Sequence, residues 1–202
     1  MIEFVNVFKA FGDKKLLNDF NLSIPDGEFV VFAGKSGCGK TTLLNMIGGL
    51  EKPDSGQLIV DGVDLYKQKN KTDYFTYKVG FLFQNFALIE DRTVEQNLNL
   101  VQKKARSGME LADVLTTLGI QDKLKEKVYK LSGGEQQRVA LARLMFKQCD
   151  IILADEPTGS LDNENAKMVI DILHKMNDMG KTIILVTHSE TIIQAEKNVI
   201  ML

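Results

Sequence analysis

The chain has 202 residues, 44% of them hydrophobic and 26% charged, with a formal net charge of −2. That is enough for one sizeable α/β core, and it supplies no basic field of the kind nucleic acid requires. No apolar run approaches the ~20 residues of a membrane-crossing helix, residues 1–6 do not read as a signal peptide, and two cysteines, Cys38 and Cys149, are too few and too ill spaced for a disulfide framework or a zinc site. The expected setting is the reducing cytoplasm, with any membrane supplied by another polypeptide.

The first third reads as β-rich. Residues 28–33 form a short apolar run that leads into glycine, as a buried strand does, and residues 57–60 and 79–83 read as further strands separated by turn signals at Pro53-Asp54-Ser55-Gly56 and Asp61-Gly62. From residue 93 to about 130 the pattern turns helical, with Leu98, Val101, Ala105, Leu111, Val114, Leu115 and Leu118 at helix spacing. Strand signals return at 151–154 and 182–186, with a helix over 166–176 between them. This alternation predicts a parallel sheet with right-handed crossovers and an inserted helical piece. Two basic clusters, at 67–71 and 103–106, read as solvated faces.

Gly34-Lys35-Ser36-Gly37-Cys38-Gly39-Lys40-Thr41 follows the predicted strand 28–33 directly. Glycines there let successive backbone N–H groups turn toward phosphate oxygens, and the helix beginning at Lys40 aims its unsatisfied donors at the same anion. Lys40 would reach the β- and γ-phosphates and the Thr41 hydroxyl would bind Mg²⁺, with Thr42 beside them. Cys38 reads as a small residue that fits the loop.

Residues 151–154 end in two carboxylates. Asp155 is placed to hold Mg²⁺, and Glu156 to orient the attacking water or accept its proton. In Leu131-Ser132-Gly133-Gly134-Glu135, Ser132 caps a helix and Glu135 stands three positions on. A capping box alone needs no glycine pair; here the pair bares a second helix N-terminus suited to an anion.

These segments together resemble the ATP-binding cassette (ABC) ATPases, in the family's order and over nearly the whole chain. Gln84 matches the Q-loop, Ser160-Leu161-Asp162 the D-loop, His188 the switch histidine, and Phe11 the aromatic that stacks on adenine. The resemblance implies a P-loop NTPase (RecA-like) α/β fold: a parallel-sheet core with an N-terminal antiparallel β subdomain, over 1–92 and 131–202, and an inserted helical subdomain over about 93–130. It implies ATP and Mg²⁺ as ligands, with Thr41, Asp155 and Gln84 at the metal, Glu156, His188 and Lys40 as the catalytic set, and Gln84 as the sensor that joins the core to the helical subdomain. It further implies a head-to-tail dimer, in which Ser132, Gly133, Gly134 and Glu135 of one subunit close on the nucleotide of the other and Asp162 crosses the interface.

Residues 152–162 resemble the group serving macrolide export, lipoprotein release and bacteriocin export. The implied partner is a separate membrane permease, the implied place its cytoplasmic face, and the implied cargo a peptide, bacteriocin or drug-like molecule; a division-associated or soluble relative is the alternative. Four features depart from the pattern. Phe11 replaces a more usual Tyr and Glu135 a more usual Gln; the stretch between Gln84 and Leu131 is short; and the chain ends at Leu202, which predicts no regulatory tail.

Overall fold

The computed structural model describes residues 1–159 and 161–202; Ser160 of the D-loop triplet lies outside them. In chain order the first half holds β1 (Ile2–Phe11), β2 (Lys14–Ile24), β3 (Phe29–Ala33), α1 (Lys40–Ile47), β4 (Ser55–Val60), β5 (Val63–Asp64), β6 (Val79–Leu82), α2 (Val94–Leu98) and α3 (Leu111–Leu118). The second half holds α4 (Gly133–Phe146), β7 (Ile151–Asp155), α5 (Asn163–Asp178), β8 (Thr182–Val186), α6 (Glu190–Ala195) and β9 (Val199–Met201).

Two sheets result. One is antiparallel, in the order β2-β1-β4-β5, and the other is parallel, in the order β6-β7-β8-β3-β9. The central parallel strands are apolar at nearly every position because both of their faces are covered. Alternate residues serve the two faces. Val30, Phe32, Leu153, Ile184 and Val186 pack with α1 and with Ile2, Phe4 and Leu58 of the antiparallel sheet. Val31, Ile152, Ala154, Ile183 and Leu185 pack with α4 and α5 through Val139, Leu141, Val169 and Leu173. The helix after the glycine loop is therefore sandwiched between the sheets, which fixes the loop rigidly at the C-terminal ends of the parallel strands, where open α/β sheets place their ligands.

The strand expected over 57–60 starts two residues earlier, at Ser55. Gly56 makes this possible. Its φ is 85°, and a Cβ there would meet the Asn6 carbonyl oxygen at 2.4 Å, so only glycine lets β4 lie this close to the bulged β1. Expected strand 79–83 ends at Leu82; expected helix 166–176 runs on to Asp178 and starts earlier, at Asn163, because Asp162 caps it by accepting from the Asn165 N–H at 2.8 Å.

The helical pattern over 93–130 requires a correction. Only α2 and α3 are α-helical there, with a single turn at Lys103–Ala105 between them and two more at Gln121–Lys123 and Val128–Lys130 leading on to α4. Gly108 and Gly119 adopt φ of 83° and 63° and break the chain direction. Leu98, Val101 and Ala105 are all buried, as their spacing predicts, but by a folded-back chain instead of one continuous helix.

Candidate functional site

The loop between β3 and α1 wraps in the conformations its glycines allow, with φ of 148° at Gly34, 76° at Gly37 and 109° at Gly39. Gly39 is the N-cap of α1, and it carries no side chain to occupy the helix's free N–H groups; no acidic residue sits in the first turn. The helix N-terminus is thus left open for an anion. The Lys40 side chain is buried and curls back into the loop, donating to the Gly34 carbonyl at 2.8 Å and the Lys35 carbonyl at 3.1 Å. The Cys38 sulfur lies 3.9 Å from the same ammonium, and a buried ammonium held by neutral groups of this kind has much to gain from a phosphate oxygen.

Opposite the loop, β7 delivers the two carboxylates. The Thr41 hydroxyl donates to Asp155 Oδ1 at 3.2 Å. Burial pushes the Asp155 carboxyl above the usual range, and the Thr41 hydroxyl opposes that in part. A hydroxyl and a half-buried carboxylate are hard oxygen donors, and a divalent cation between them would relieve the desolvated charge, so the pair fits Mg²⁺ completed by phosphate oxygens. Among the described residues no cluster of three or more His, Cys, Asp or Glu could hold an ion by itself.

Glu156 leaves the sheet in the left-handed region, with φ of 46°. Its N–H donates to the Val186 carbonyl at 2.9 Å, and its carboxylate sits 2.8 Å from His188 Nδ1 while accepting from the His188 backbone N–H at 3.3 Å. A carboxylate neighbour places the ring proton on Nδ1. The imidazole is largely exposed, whereas Glu156 is mostly covered, so the histidine steers the carboxylate from the open side.

These groups share one cavity of about 460 Å³. Ser36, Gly37, Gly39, Lys40, Thr41 and Thr42 form its floor; Gln84, Glu156 and His188 form one wall and Phe11 another. Gly34, Lys35, Cys38 and Asp155 are not part of this lining. Phe11 is half exposed at the tip of β1, with the Lys9 ammonium 4.8 Å from its ring centre. Two cavity residues carry no motif. Lys14 donates to the Gly37 carbonyl at 2.7 Å, and Leu16 packs where a Gly39 side chain would stand. A basic residue in the β1–β2 hairpin, directly after the Phe11 turn, is the one sequence signal that points to Lys14.

The structure does not bring Ser132, Gly133, Gly134, Glu135 or Asp162 to this cavity. Ser132 caps α4: the Ser132 N–H donates to Glu135 Oε2 at 2.8 Å and the Glu135 N–H to Ser132 Oγ at 3.3 Å. The Ser132 N–H and hydroxyl hold the Glu135 carboxyl below its usual range, helped by Lys123 at 3.2 Å. Ser132 and Gly133 are exposed, so this second helix N-terminus looks outward. Asp162 is exposed as well, and the Asn165 backbone and side-chain N–H groups hold it below the usual carboxylate range.

Comparison with known proteins agrees with this geometry. The model of the ABC transporter family matches residues 17–159. The macrolide export ATP-binding/permease protein MacB of Campylobacter jejuni is 40% identical over 99% of this chain, but the match spans 32% of that protein. The lipoprotein-releasing system ATP-binding protein LolD of Aquifex aeolicus is 40% identical over 91% of this chain and 85% of its own length. Among solved structures, the dimeric ATP-binding cassette MJ0796 in a post-hydrolysis state bound to ADP and Pi superposes with a TM-score of 0.87 at 36% identity, covering 100% of this chain and 94% of that one. The chain belongs to the ABC transporter family and has the fold of its ATP-binding cassettes.

Proposed function

We propose that this chain is the Mg-ATP-hydrolysing subunit that powers a separate membrane permease, working as a head-to-tail dimer around two nucleotides. The observation that carries the reading is the split in the site. The phosphate loop, Glu156 and His188 share one cavity, while the α4 N-terminus, with exposed Ser132 and Gly133 and half-buried Gly134, lies outside it. Each set makes half of an anion site, and a second copy turned end to end completes both.

In that arrangement Lys40 leaves the loop carbonyls for the β- and γ-phosphates, and the amides of residues 35–41 enclose them. Thr41 and Asp155, with Gln84 alongside, would hold Mg²⁺, which when bound supplies positive charge against the charge developing on the phosphoryl oxygens. Glu156 orients the attacking water and takes its proton. His188 keeps Glu156 aimed and, as an imidazolium between that carboxylate and the γ-phosphate, donates from Nδ1 to the one and from Nε2 to the other. Phe11 stacks on the adenine, and Ser132 with the α4 N-terminus meets the partner's γ-phosphate. Asp162 lies at the crossing point between subunits.

The permease side of the proposal draws on a groove of about 390 Å³ between β6, the segment 100–105 and α4, lined by Phe75, Phe81, Phe83, Leu100 and the stems of Arg143 and Lys147. It suits an amphipathic helix of the partner, and it adjoins Gln84. No helix among the described residues is long and apolar enough to cross a membrane; a place at the cytoplasmic face, held there by the permease, belongs to the same proposal. A relative named for macrolide export and one named for lipoprotein release support transport of a drug-like or lipid-linked molecule as the class of work, and a peptide or bacteriocin cargo is the finer part of the proposal. The test is purification of the tagged chain from detergent-solubilised membranes of its host. A stoichiometric permease supports the reading; recovery without any membrane protein replaces it with a soluble ABC ATPase.

A further inference from the structure

Gln137 lies one turn into α4, 1% exposed, and its side-chain amide donates to the Pro157 carbonyl at 2.8 Å. Pro157 follows Glu156, the residue whose backbone is left-handed and whose carboxylate is aimed by His188. The Glu156–Pro157 step is otherwise anchored on the sheet side, by the Glu156 N–H on Val186, and by the Gly159 N–H donating to the Glu156 carbonyl at 3.2 Å. The Gln137 bond is a direct polar link from the helix that begins at Ser132 to this step. It is short, buried and shielded from competing water, so it transmits displacement of α4 rather than absorbing it.

We infer that Gln137 is a positioning residue that couples the two nucleotide sites of the dimer: when α4 engages the partner's nucleotide through Ser132-Gly133-Gly134, the Gln137–Pro157 bond shifts the backbone that aims this subunit's own Glu156. The inference rests on the head-to-tail reading, because only there do the two ends of α4's tether serve different nucleotides. It requires no contact between Gln137 and nucleotide. Coupling of this kind shows as a dependence of turnover at one site on occupancy of the other.

The test uses Gln137→Met in the full chain. Methionine fills about the same volume and removes the Gln137 Oε1 acceptor, which has no protein partner here, but it also leaves the buried Pro157 carbonyl without its donor, so a modest loss of stability accompanies the change. The readouts are steady-state ATPase against ATP concentration, nucleotide affinity of the monomer with a fluorescent ATP analogue, and thermal melting. Expected are a loss of the sigmoidal ATP dependence and a fall in kcat of roughly tenfold, within the usual range of site–site coupling, with monomer affinity unchanged and melting lowered by only a few degrees. A folded Gln137→Met chain with unchanged kcat and cooperativity overturns the inference. If Gln137→Met and a second variant, Gln137→Leu, both fail to fold, the residue is structural and the inference is overturned too. A wild-type chain that hydrolyses ATP as a monomer, without cooperativity, strikes down the dimer reading itself.

Discussion

Glu156 adopts a backbone conformation that costs a non-glycine residue about 1 kcal/mol or more, and its neighbours hold it there through Val186, His188 and the Gln137-bound Pro157. Such strain persists where surroundings over-determine it, here at the residue read as aiming the water. Asp155 carries a cost of another kind. Burial raises its pKa above the unfolded value, so its charge opposes folding at neutral pH and that opposition disappears as pH falls through the raised pKa. Asp155→Asn is therefore expected to raise the melting temperature of the nucleotide-free chain by roughly 2 °C while abolishing Mg²⁺-dependent ATP turnover; calorimetry and a phosphate-release assay read the two effects. Glu135 has the opposite sign. Its depressed pKa gives stability that is present above the ordinary carboxylate range and lost as pH falls through the folded value. Its negative charge nonetheless stands at the helix end that is to meet the partner's γ-phosphate. Glu135→Gln keeps the capping box and removes that charge, so the ATP concentration for half-maximal dimerisation is expected to fall about fivefold, equivalent to ~1 kcal/mol at a helix terminus. Light scattering across an ATP titration checks it; an unchanged midpoint would show that Glu135 does not face the nucleotide. Most of the cavity was legible from local motifs because a phosphate loop is specified by its own few residues. Lys14 and Leu16 were not, since a hairpin brings them across from a distant position, and Gln137 hides inside a helix pattern that any buried polar residue could occupy.

Strands β3, β7 and β8 stand out in the sequence because doubly covered strands are continuous apolar runs bounded by turn residues. The edges of β4 and the middle stretch do not, and for a common reason: tertiary contacts, not local propensity, decide them. Leu98, Val101 and Ala105 show helical spacing yet reach the core through separate turns, and Ser55 joins β4 only because Gly56 tolerates the approach of Asn6. That contact has a testable cost. Gly56→Ala adds a carbon 2.4 Å from the Asn6 oxygen at a positive φ, and is expected to destabilise the chain by about 2–3 kcal/mol. A denaturation midpoint shift with unchanged slope reads it; a neutral effect would mean that β1 yields freely and the antiparallel sheet is not rigidly docked on α1.

At the scale of the whole molecule, two helix N-termini suited to phosphate face different directions, α1 into the cavity and α4 outward. One chain therefore holds the halves of two sites, and ATP acts as the cement between two copies. On the proposed reading, binding favours the closed pair and hydrolysis releases it, and that cycle would move a permease at the groove beside Gln84. The most direct measurement is the mass of the Glu156→Gln chain by light scattering, with and without saturating ATP, beside the same chain carrying Ser132→Arg. The account predicts that ATP doubles the mass of Glu156→Gln, and that the added Ser132→Arg abolishes the doubling while nucleotide binding by the monomer persists. A Glu156→Gln chain that stays monomeric in saturating ATP, or a dimer indifferent to Ser132→Arg, would contradict it.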